Sequence, residues 1–408
     1  MRSRARNRGD GFLLMMLPEL TLNMVWFLLP VAAASGWLAA RRLYNNKASA
    51  ERPLLAPEYF KGLSYLLNEQ QDKAIEIFTR LLDLESDTAE IHLALGNLFR
   101  RRGEVSRAIQ IHQNLAAWPS LDDEQRSAAL FELALDYMRS GLLDRAESMF
   151  HELTQAGTYR GLALRKLVDI YQQEKDWDKA ISYALESHAV SGVDMTPRIA
   201  QFYCERAENE AVSGDIRKAI QSTKHALAAD PNCVRASMLE AELRIRSGRL
   251  DKAIKAYKRV EHQDPDFVNE VIYPLQECYR QQDRVDAFVD YLERLSQRRR
   301  GVTPVLVLAE LLAQRSGRRQ AIDYLNDTLR DTPSLRGLSR MIHYALEEAK
   351  DGARDDLMLL KAFTDRLLEG RALYKCRHCG FSGRSLHWQC PGCRYWVTMR
   401  RIRGIGGE

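Results

Sequence analysis

The sequence predicts an all-α protein, a superhelical solenoid of stacked helix pairs with a different kind of unit at each end. Three observations support this prediction: an internal repeat with a period near 34 residues, a 20-residue stretch without charge, and two C-x-x-C pairs close to the carboxyl terminus. Charged residues make up 28% of the 408 residues, but the net charge is only +5. This balance does not indicate a bulk nucleic-acid surface.

The repeat is clearest at an alanine expected in the second helix of each pair. The eight aligned alanines are Ala74, Ala108, Ala146, Ala180, Ala219, Ala253, Ala287 and Ala321, with spacings of 34, 38, 34, 39, 34, 34 and 34 residues. A period near 34 residues is typical of the tetratricopeptide repeat, in which each unit contributes two amphipathic helices. We therefore predict tetratricopeptide repeats over residues 58–334 and capping helices over residues 335–370, because a repeat array needs a polar outer face at its end.

Two irregularities interrupt this pattern. The longer spacings of 38 and 39 predict surface loops near residues 120–124 and 191–196, where turn-forming residues gather. The match is weakest around Ala287, because Pro274 and Arg294 occupy positions where an apolar or small side chain is expected.

Residues 21–40 contain no charged side chain. At about 1.5 Å per residue, a helix of this length covers the hydrocarbon core of a bilayer, about 30 Å thick. A cleaved signal peptide is the alternative, but Arg41 and Arg42 directly after the apolar run are a poor flank for export. We therefore predict one uncleaved transmembrane helix.

Basic residues on both sides of this segment give opposing signals for its orientation. Those in residues 41–57, a predicted polar linker, favour a cytoplasmic body, whereas the arginines within residues 1–20 oppose it. We expect translation to begin at Met15, Met16 or Met24, because the opposing leader is then absent. Clustered free thiols also favour the reducing cytoplasm.

Residues 371–408 have a different character. They carry Cys376-x-x-Cys379 and Cys390-x-x-Cys393 separated by ten residues. Two such knuckles bring four thiolates around one metal ion, and a site closed by four cysteines is structural or electron-transferring rather than Lewis-acid catalytic. We predict a four-cysteine metal ribbon, in which His378 and His387 are surface residues or alternate ligands.

This ribbon is too small to enclose its own aromatic residues, so we expect part of its aromatic surface to dock on the last helical repeats. It is also basic. Part of this charge balances a tetrathiolate ion, and the remainder, including Arg400, Arg401 and Arg403, is a candidate surface for acidic phospholipid or an acidic partner.

In tetratricopeptide arrays the concave surface is lined mainly by first helices. Asn97, Arg100 and Arg101 lie on such a helix and are candidates for holding an acidic peptide, although a solvated charged face is the simpler explanation. Motifs such as G-x-x-x-x-G-K-[ST], H-E-x-x-H and G-x-S-x-G do not occur in the sequence. We therefore expect a protein that is not an enzyme.

Five stretches of the chain are distinctive: FLLPVAAASGW before Arg41, LGNLFRRRGEVSRAIQIHQ, QFYCERA, YKCRHCGF and HWQCPGCRYW. With them, the order of membrane helix, repeats and four-cysteine ribbon resembles the lipopolysaccharide assembly protein B family from about Met24 onward. The resemblance implies a rubredoxin-like ribbon that holds iron or zinc through its four cysteines.

The same resemblance implies an adaptor at the inner membrane with its main body in the cytoplasm. Such an adaptor promotes degradation of the lipid A pathway deacetylase LpxC by the membrane protease FtsH, and responds to an inner-membrane regulator that senses lipopolysaccharide. A homo-oligomer is compatible with this role. The alternatives are a membrane-tethered peptide-binding co-chaperone and a redox carrier; nucleic-acid binding is not expected.

Overall fold

The computed structural model describes residues 34–37, 57–68, 70–84, 88–155, 157–298 and 301–407. The predicted leader, most of the predicted membrane helix at 21–40 and nearly all of the linker at 41–57 lie outside these ranges. Residues 34–37 form a helical turn. Within the described ranges, no helix combines the length and apolarity needed to span a bilayer.

Helix pairs make up most of the described chain. The first helices of the pairs are α1 (Pro57–Leu67), α3 (Ala89–Arg102), α5 (Asp123–Ser140), α7 (Arg160–Glu174), α9 (Thr196–Val212), α11 (Val234–Arg246), α13 (Val268–Gln281) and α15 (Thr303–Ser316). The second helices are α2 (Gln71–Leu84), α4 (Val105–Ala116), α6 (Leu143–Gln155), α8 (Trp177–Ser191), α10 (Ile216–Ala229), α12 (Leu250–Gln263), α14 (Val285–Gln297) and α16 (Arg318–Asp331). A 3-10 helix, Pro265–Phe267, precedes α13, and α17 (Leu335–Glu348) and α18 (Asp351–Leu368) follow α16.

Each of the eight aligned alanines lies in a second helix, near its start. Seven of them are fully buried, whereas Ala287 is partly buried against the core. Small residues at these positions let the two helices of a pair approach closely. Ala287, the partly buried exception, lies in the repeat whose sequence pattern is weakest.

The chain forms two compact units, which divide between Leu115 and Ala116. In the first unit, Phe78, Ile91 and Leu98 belong to one buried core. Gly96 is essential to the packing of this unit, because a Cβ atom there would lie 2.3 Å from Nε2 of the fully buried His112. The glycine thus makes room for an imidazole ring between α3 and α4.

The two longer spacings lengthen first helices as well as loops. The first helices that follow these spacings are long: α5 has 18 residues and α9 has 17. Asp122 starts α5 with a capping box, in which its side chain accepts from the Gln125 N–H. The predicted loop at 120–124 therefore already becomes helix at Asp123.

The carboxyl-terminal ribbon contains three short antiparallel strands, β1 (Tyr374–Cys376), β2 (Ser382–Gly383) and β3 (Met399–Arg401), in the order β2-β1-β3. Cys376 pairs with Met399 and Tyr374 with Gly383. The side chain of Trp388 packs against the core that α11 to α15 build in the second unit. This packing joins the ribbon to the helical array.

Candidate metal centre and its docking surface

Four thiols converge at one end of the ribbon. Their Sγ atoms all lie within 4.8 Å of one another, with 3.8 Å between Cys376 and Cys393 and 3.6 Å between Cys379 and Cys390. A tetrahedral ion with metal–sulfur bonds of about 2.3 Å requires sulfurs about 3.8 Å apart. The donor set and its spacing therefore fit one iron or zinc ion bound by four thiolates.

The backbone of the first knuckle turns back toward the Cys376 sulfur. The N–H groups of His378 and Cys379 lie 3.4 and 3.5 Å from the Cys376 sulfur. Burial alone would raise the pKa of Cys376, but the Thr398 hydroxyl and these two N–H groups outweigh it and lower this pKa to about 5. Cys376 thus favours the thiolate form that a metal ion needs, whereas burial and the neighbouring thiols raise the pKa of Cys393 to about 12.

The residue after each pair of cysteines adopts a left-handed conformation. Gly380 has a φ of 80° and Arg394 a φ of 59°. Gly392 has another role: a Cβ atom there would lie 3.3 Å from the Cys379 sulfur. In the second knuckle the left-handed turn is therefore made by Arg394 rather than by Gly392.

The two histidines of the ribbon lie outside the thiol group. His378 stacks on Tyr395 with ring centroids 4.1 Å apart, and His387 lies 3.0 Å from the Ser385 hydroxyl through Nε2. Of the described histidine, aspartate and glutamate side chains, none joins the four cysteines in the metal-competent cluster. The tetrathiolate interpretation is therefore favoured over a histidine ligand.

Two tryptophans of the ribbon dock on the helical array. Trp388 stacks on Phe267 with ring centroids 5.5 Å apart, and Trp396 meets Phe202 edge to face at 6.3 Å. The Trp396 indole also donates to Gln172 Oε1 at 3.1 Å. In contrast, Tyr395 of the ribbon stays more than half exposed.

Arg235 of α11 lies beneath both tryptophans. Its guanidinium is 6.0 Å from the ring centroid of Trp388 and 5.7 Å from that of Trp396, and its side chain is almost fully buried. Two carboxylates of α9 balance its charge, Glu205 at 2.8 Å and Glu208 at 2.7 Å. Arg235 thus joins repeats five and six to the ribbon through cation–π contacts.

Arginines of the ribbon form ion pairs with an acidic segment that begins after α12 and continues into α13. Arg400 pairs with Asp264 at 3.1 Å, and Arg401 pairs with Glu270. Asp266 forms ion pairs with Arg403 and with two other ribbon arginines. In this structure the partners of Arg400, Arg401 and Arg403 are carboxylates of the same chain, and a role of these arginines toward acidic phospholipid or an acidic partner stays a prediction.

The docked ribbon reaches further along the array than predicted. Its described contacts include the start of α13 in repeat seven but extend back over α11, α9 and α7, the first helices of repeats six, five and four. One backbone bond does reach the final helices, from the Leu335 N–H to the Ile405 carbonyl. The physical reason is that the aromatic and acidic partners of the ribbon lie in the middle of the array.

The candidate peptide-binding residues of α3 lie in the first unit. The Arg100 guanidinium donates to Asn97 Oδ1 at 2.5 Å, and both side chains are half-buried, whereas Arg101 is exposed. Asn97 and Arg100 therefore support each other. The role of all three residues toward a partner stays a prediction.

Sequence reasoning missed Arg235 and Glu270 as determinants of the site. Glu270 accepts from the Tyr374 hydroxyl at 2.8 Å as well as from Arg401. A sequence signal was present, since a run of acids at 264–270 stands opposite a basic ribbon. Opposite charge alone, however, does not specify which acids and bases meet.

Comparison with known proteins agrees with the two parts of this architecture. The family model described as tetratricopeptide repeat matches residues 59–122 and 213–271, and the one described as rubredoxin metal binding domain matches residues 374–401. These matches confirm the predicted repeat array and the predicted rubredoxin-like, metal-binding ribbon. Among solved structures, the C-terminal part of a repeat-containing protein from Cytophaga hutchinsonii is 15% identical, with a TM-score of 0.39, and covers 65% of this chain and 98% of that one.

Two relatives match along almost the whole chain. Lipopolysaccharide assembly protein B of Escherichia coli (strain K12) is 38% identical over 387 residues, which covers 95% of this chain and 100% of the relative. The protein of the same name from Haemophilus influenzae is 33% identical and covers 93% of this chain and 98% of the relative. At this identity and coverage, the chain belongs to the lipopolysaccharide assembly protein B family.

Proposed function

We propose that this protein acts in lipopolysaccharide assembly as a non-enzymatic adaptor anchored in the inner membrane. The similarity over 95% of the chain to a protein named for that process is the observation that carries the proposal. The aligned region includes both the helical repeats and the ribbon. The similarity therefore does not come from the widespread tetratricopeptide repeat alone.

The adaptor brings the lipid A pathway deacetylase LpxC to the membrane protease FtsH, and an inner-membrane regulator that senses lipopolysaccharide controls this step. Tetratricopeptide arrays supply extended surfaces suited to such a role. Anchoring in one membrane raises the effective concentration of protease and client without further contacts. The apolar segment at 21–40 supplies the anchor, and the repeats lie on the cytoplasmic side.

Cys376, Cys379, Cys390 and Cys393 hold one structural iron or zinc ion. Bound there, the ion supplies a cross-link between the two knuckles and carries no reaction step. The ribbon side chains around it then keep the surface that meets Phe202, Arg235 and Phe267 in one conformation. Elemental analysis of the purified full-length protein should find one equivalent of iron and zinc combined.

Depletion of the protein in its own cell tests the adaptor role. We expect LpxC to accumulate because its degradation slows, while the level of unrelated FtsH substrates stays constant. A broad rise of many unrelated proteins would favour the co-chaperone alternative. Unchanged LpxC turnover would contradict the proposal. A redox carrier would instead require a bound iron that changes oxidation state with physiological reductants.

A further inference from the structure

A pair of helical cysteines lies directly below the docked ribbon. Cys204 of α9 and Cys233 at the start of α11 face each other with 3.9 Å between their sulfur atoms. Both are free thiols, and both are buried in a small cluster of alanines contributed by three helices. They are 29 residues apart in sequence and belong to neighbouring repeats, so only the fold brings them together.

The surroundings of the two sulfurs differ in a way that suits thiol–disulfide exchange. Cys233 is the N-cap residue of α11, where backbone N–H groups point outward. The Gln201 amide donates to its sulfur at 3.4 Å, and the Oε1 atom of the same amide is buried without a hydrogen-bond partner. A helix amino terminus and a donor at the sulfur both stabilise a thiolate.

The pKa values agree with this asymmetry. The hydrogen bond from Cys204 and the N–H of Ala236 lower the pKa of Cys233 despite its burial. Burial is the main cause that raises the pKa of Cys204 well above its usual value, and the contact with Cys233 adds to it. Cys233 is therefore the attacking thiol, and Cys204 is the one that resolves the intermediate.

We propose that Cys204 and Cys233 form a reversible disulfide that links repeats five and six and weakens the docking of the metal ribbon. The oxidant is a low-molecular-weight disulfide such as oxidised glutathione. The Cys233 thiolate attacks one sulfur of this disulfide, forms a mixed disulfide and releases one glutathione thiolate. Cys204 then loses its proton to solvent and attacks the Cys233 sulfur, which releases the second glutathione as a thiolate. Two thiols are oxidised, and one disulfide is reduced to two thiols.

Access to Cys233 comes through the turn that precedes α11. Pro231 and Asn232 in this turn are exposed, whereas the Cys233 side chain itself is not. Local opening of a helix start needs less free energy than global unfolding, so the turn can admit the oxidant. Reaction is then slower than for an exposed thiol but does not require the repeats to unfold.

The link to the ribbon runs through residues adjacent to both cysteines. Glu205 follows Cys204, and Arg235, two residues after Cys233, pairs with it at 2.8 Å. Arg235 also contacts the two docked tryptophans. A disulfide shortens the sulfur separation from 3.9 Å to about 2.05 Å. This shift displaces α9 against α11 and moves Arg235 away from its position beneath the ribbon.

Peptide mapping of the full-length, metal-loaded protein tests the disulfide. The protein is equilibrated with oxidised and reduced glutathione in varied ratio, alkylated and digested with trypsin. Cleavage places Cys204 in residues 199–206 and Cys233 in residues 225–235. We expect these two peptides to be joined under oxidising ratios and separated again by reductant. Peptides that stay separate even in oxidised glutathione alone would overturn the proposal.

Single alanine substitutions distinguish the roles of the two thiols, and a substitution at a third buried cysteine serves as the control. Cys204→Ala should leave Cys233 as a mixed disulfide with glutathione, and Cys233→Ala should leave Cys204 unmodified. Cys278→Ala, which removes a buried thiol of α13, should behave like the wild type. If Cys278 were found joined to either cysteine, the assigned pair would be wrong. The wild-type peptide map decides the question even if a variant fails to fold.

Hydrogen exchange of residues 374–401 tests the coupling. We expect severalfold faster exchange in the oxidised wild type, at unchanged metal content, and no change in Cys233→Ala treated in the same way. Equal protection of the ribbon in the oxidised and reduced wild type would contradict the link between the disulfide and ribbon docking.

Discussion

At the scale of single residues, the ribbon is held by a few side chains that each make several contacts. Glu270 is the clearest example, because it accepts hydrogen bonds from both Arg401 and Tyr374 and its side chain is only 12% exposed. A largely buried carboxylate with two partners differs from the surface ion pairs elsewhere in the array, which contribute little to stability.

Replacing Glu270 tests this view. We expect Glu270→Gln to destabilise the docked ribbon by about 2 kcal/mol, because a charge-assisted hydrogen bond is lost and Arg401 is left without its carboxylate. Hydrogen exchange in β1 and β3 measures the effect. Glu277→Gln is the matched control on the same helix, since the described partners of Glu277 are nearby exposed residues of α13. Equal exchange in the two variants would show that the Glu270 contacts are not important.

Residue identity was predictable at the metal centre but not at the docking surface. The four cysteines could be selected from the sequence because both members of each pair lie in one short turn and two such turns make one site. The partner of Trp396, Gln172, is 224 residues away, and neither helix period nor spacing relates the two. The carboxylate partners of the ribbon arginines could not be selected from the sequence for the same reason.

At the scale of the helix, the repeat unit depends on small residues where its two helices meet. Ala219 is fully buried, whereas the equivalent Ala287 is partly exposed in the repeat that contains Pro274. Even so, α13 continues through Pro274. Prolines at 231, 265 and 333 stand two residues beyond the ends of α10, α12 and α16, as the missing N–H group of proline predicts.

A pair of leucine substitutions tests the packing at the alanine position. Ala219→Leu should lower the free energy of unfolding by about 2 kcal/mol or more, because added methylene groups force a close-packed helix pair apart. Ala287→Leu should have a much smaller effect, since its side chain can extend toward solvent. Urea unfolding followed by circular dichroism compares the two. Similar losses at both positions would contradict the difference in packing.

At the scale of the whole molecule, the metal ribbon and the repeats depend on each other unequally. The ribbon has three strands of at most three residues and a core of few side chains, so it needs a bound ion to persist. The repeats have their own continuous core in each unit. Loss of the ion should therefore affect the ribbon first.

Cys376→Ser tests this order. We expect loss of bound metal, rapid tryptic cleavage within residues 371–401 and weaker complementation of depleted cells, while helical circular dichroism falls by only a small amount. His387→Gln alters the same ribbon outside the thiol cluster and should retain metal and protection. Collapse of the helical signal in Cys376→Ser would mean that the repeats require the ribbon to fold.

The sequence by itself determined the helix pairs, the aligned alanines of the second helices and the four-cysteine cluster. Each of these depends on residues that are close along the chain, so period and spacing record them directly. Only the tertiary structure decided that the ribbon lies on the first helices of repeats four to seven, that its arginines meet Asp264, Asp266 and Glu270, and that Cys204 faces Cys233. These contacts join distant segments, and many acids, bases and aromatic residues of similar chemistry compete for them until packing selects one arrangement.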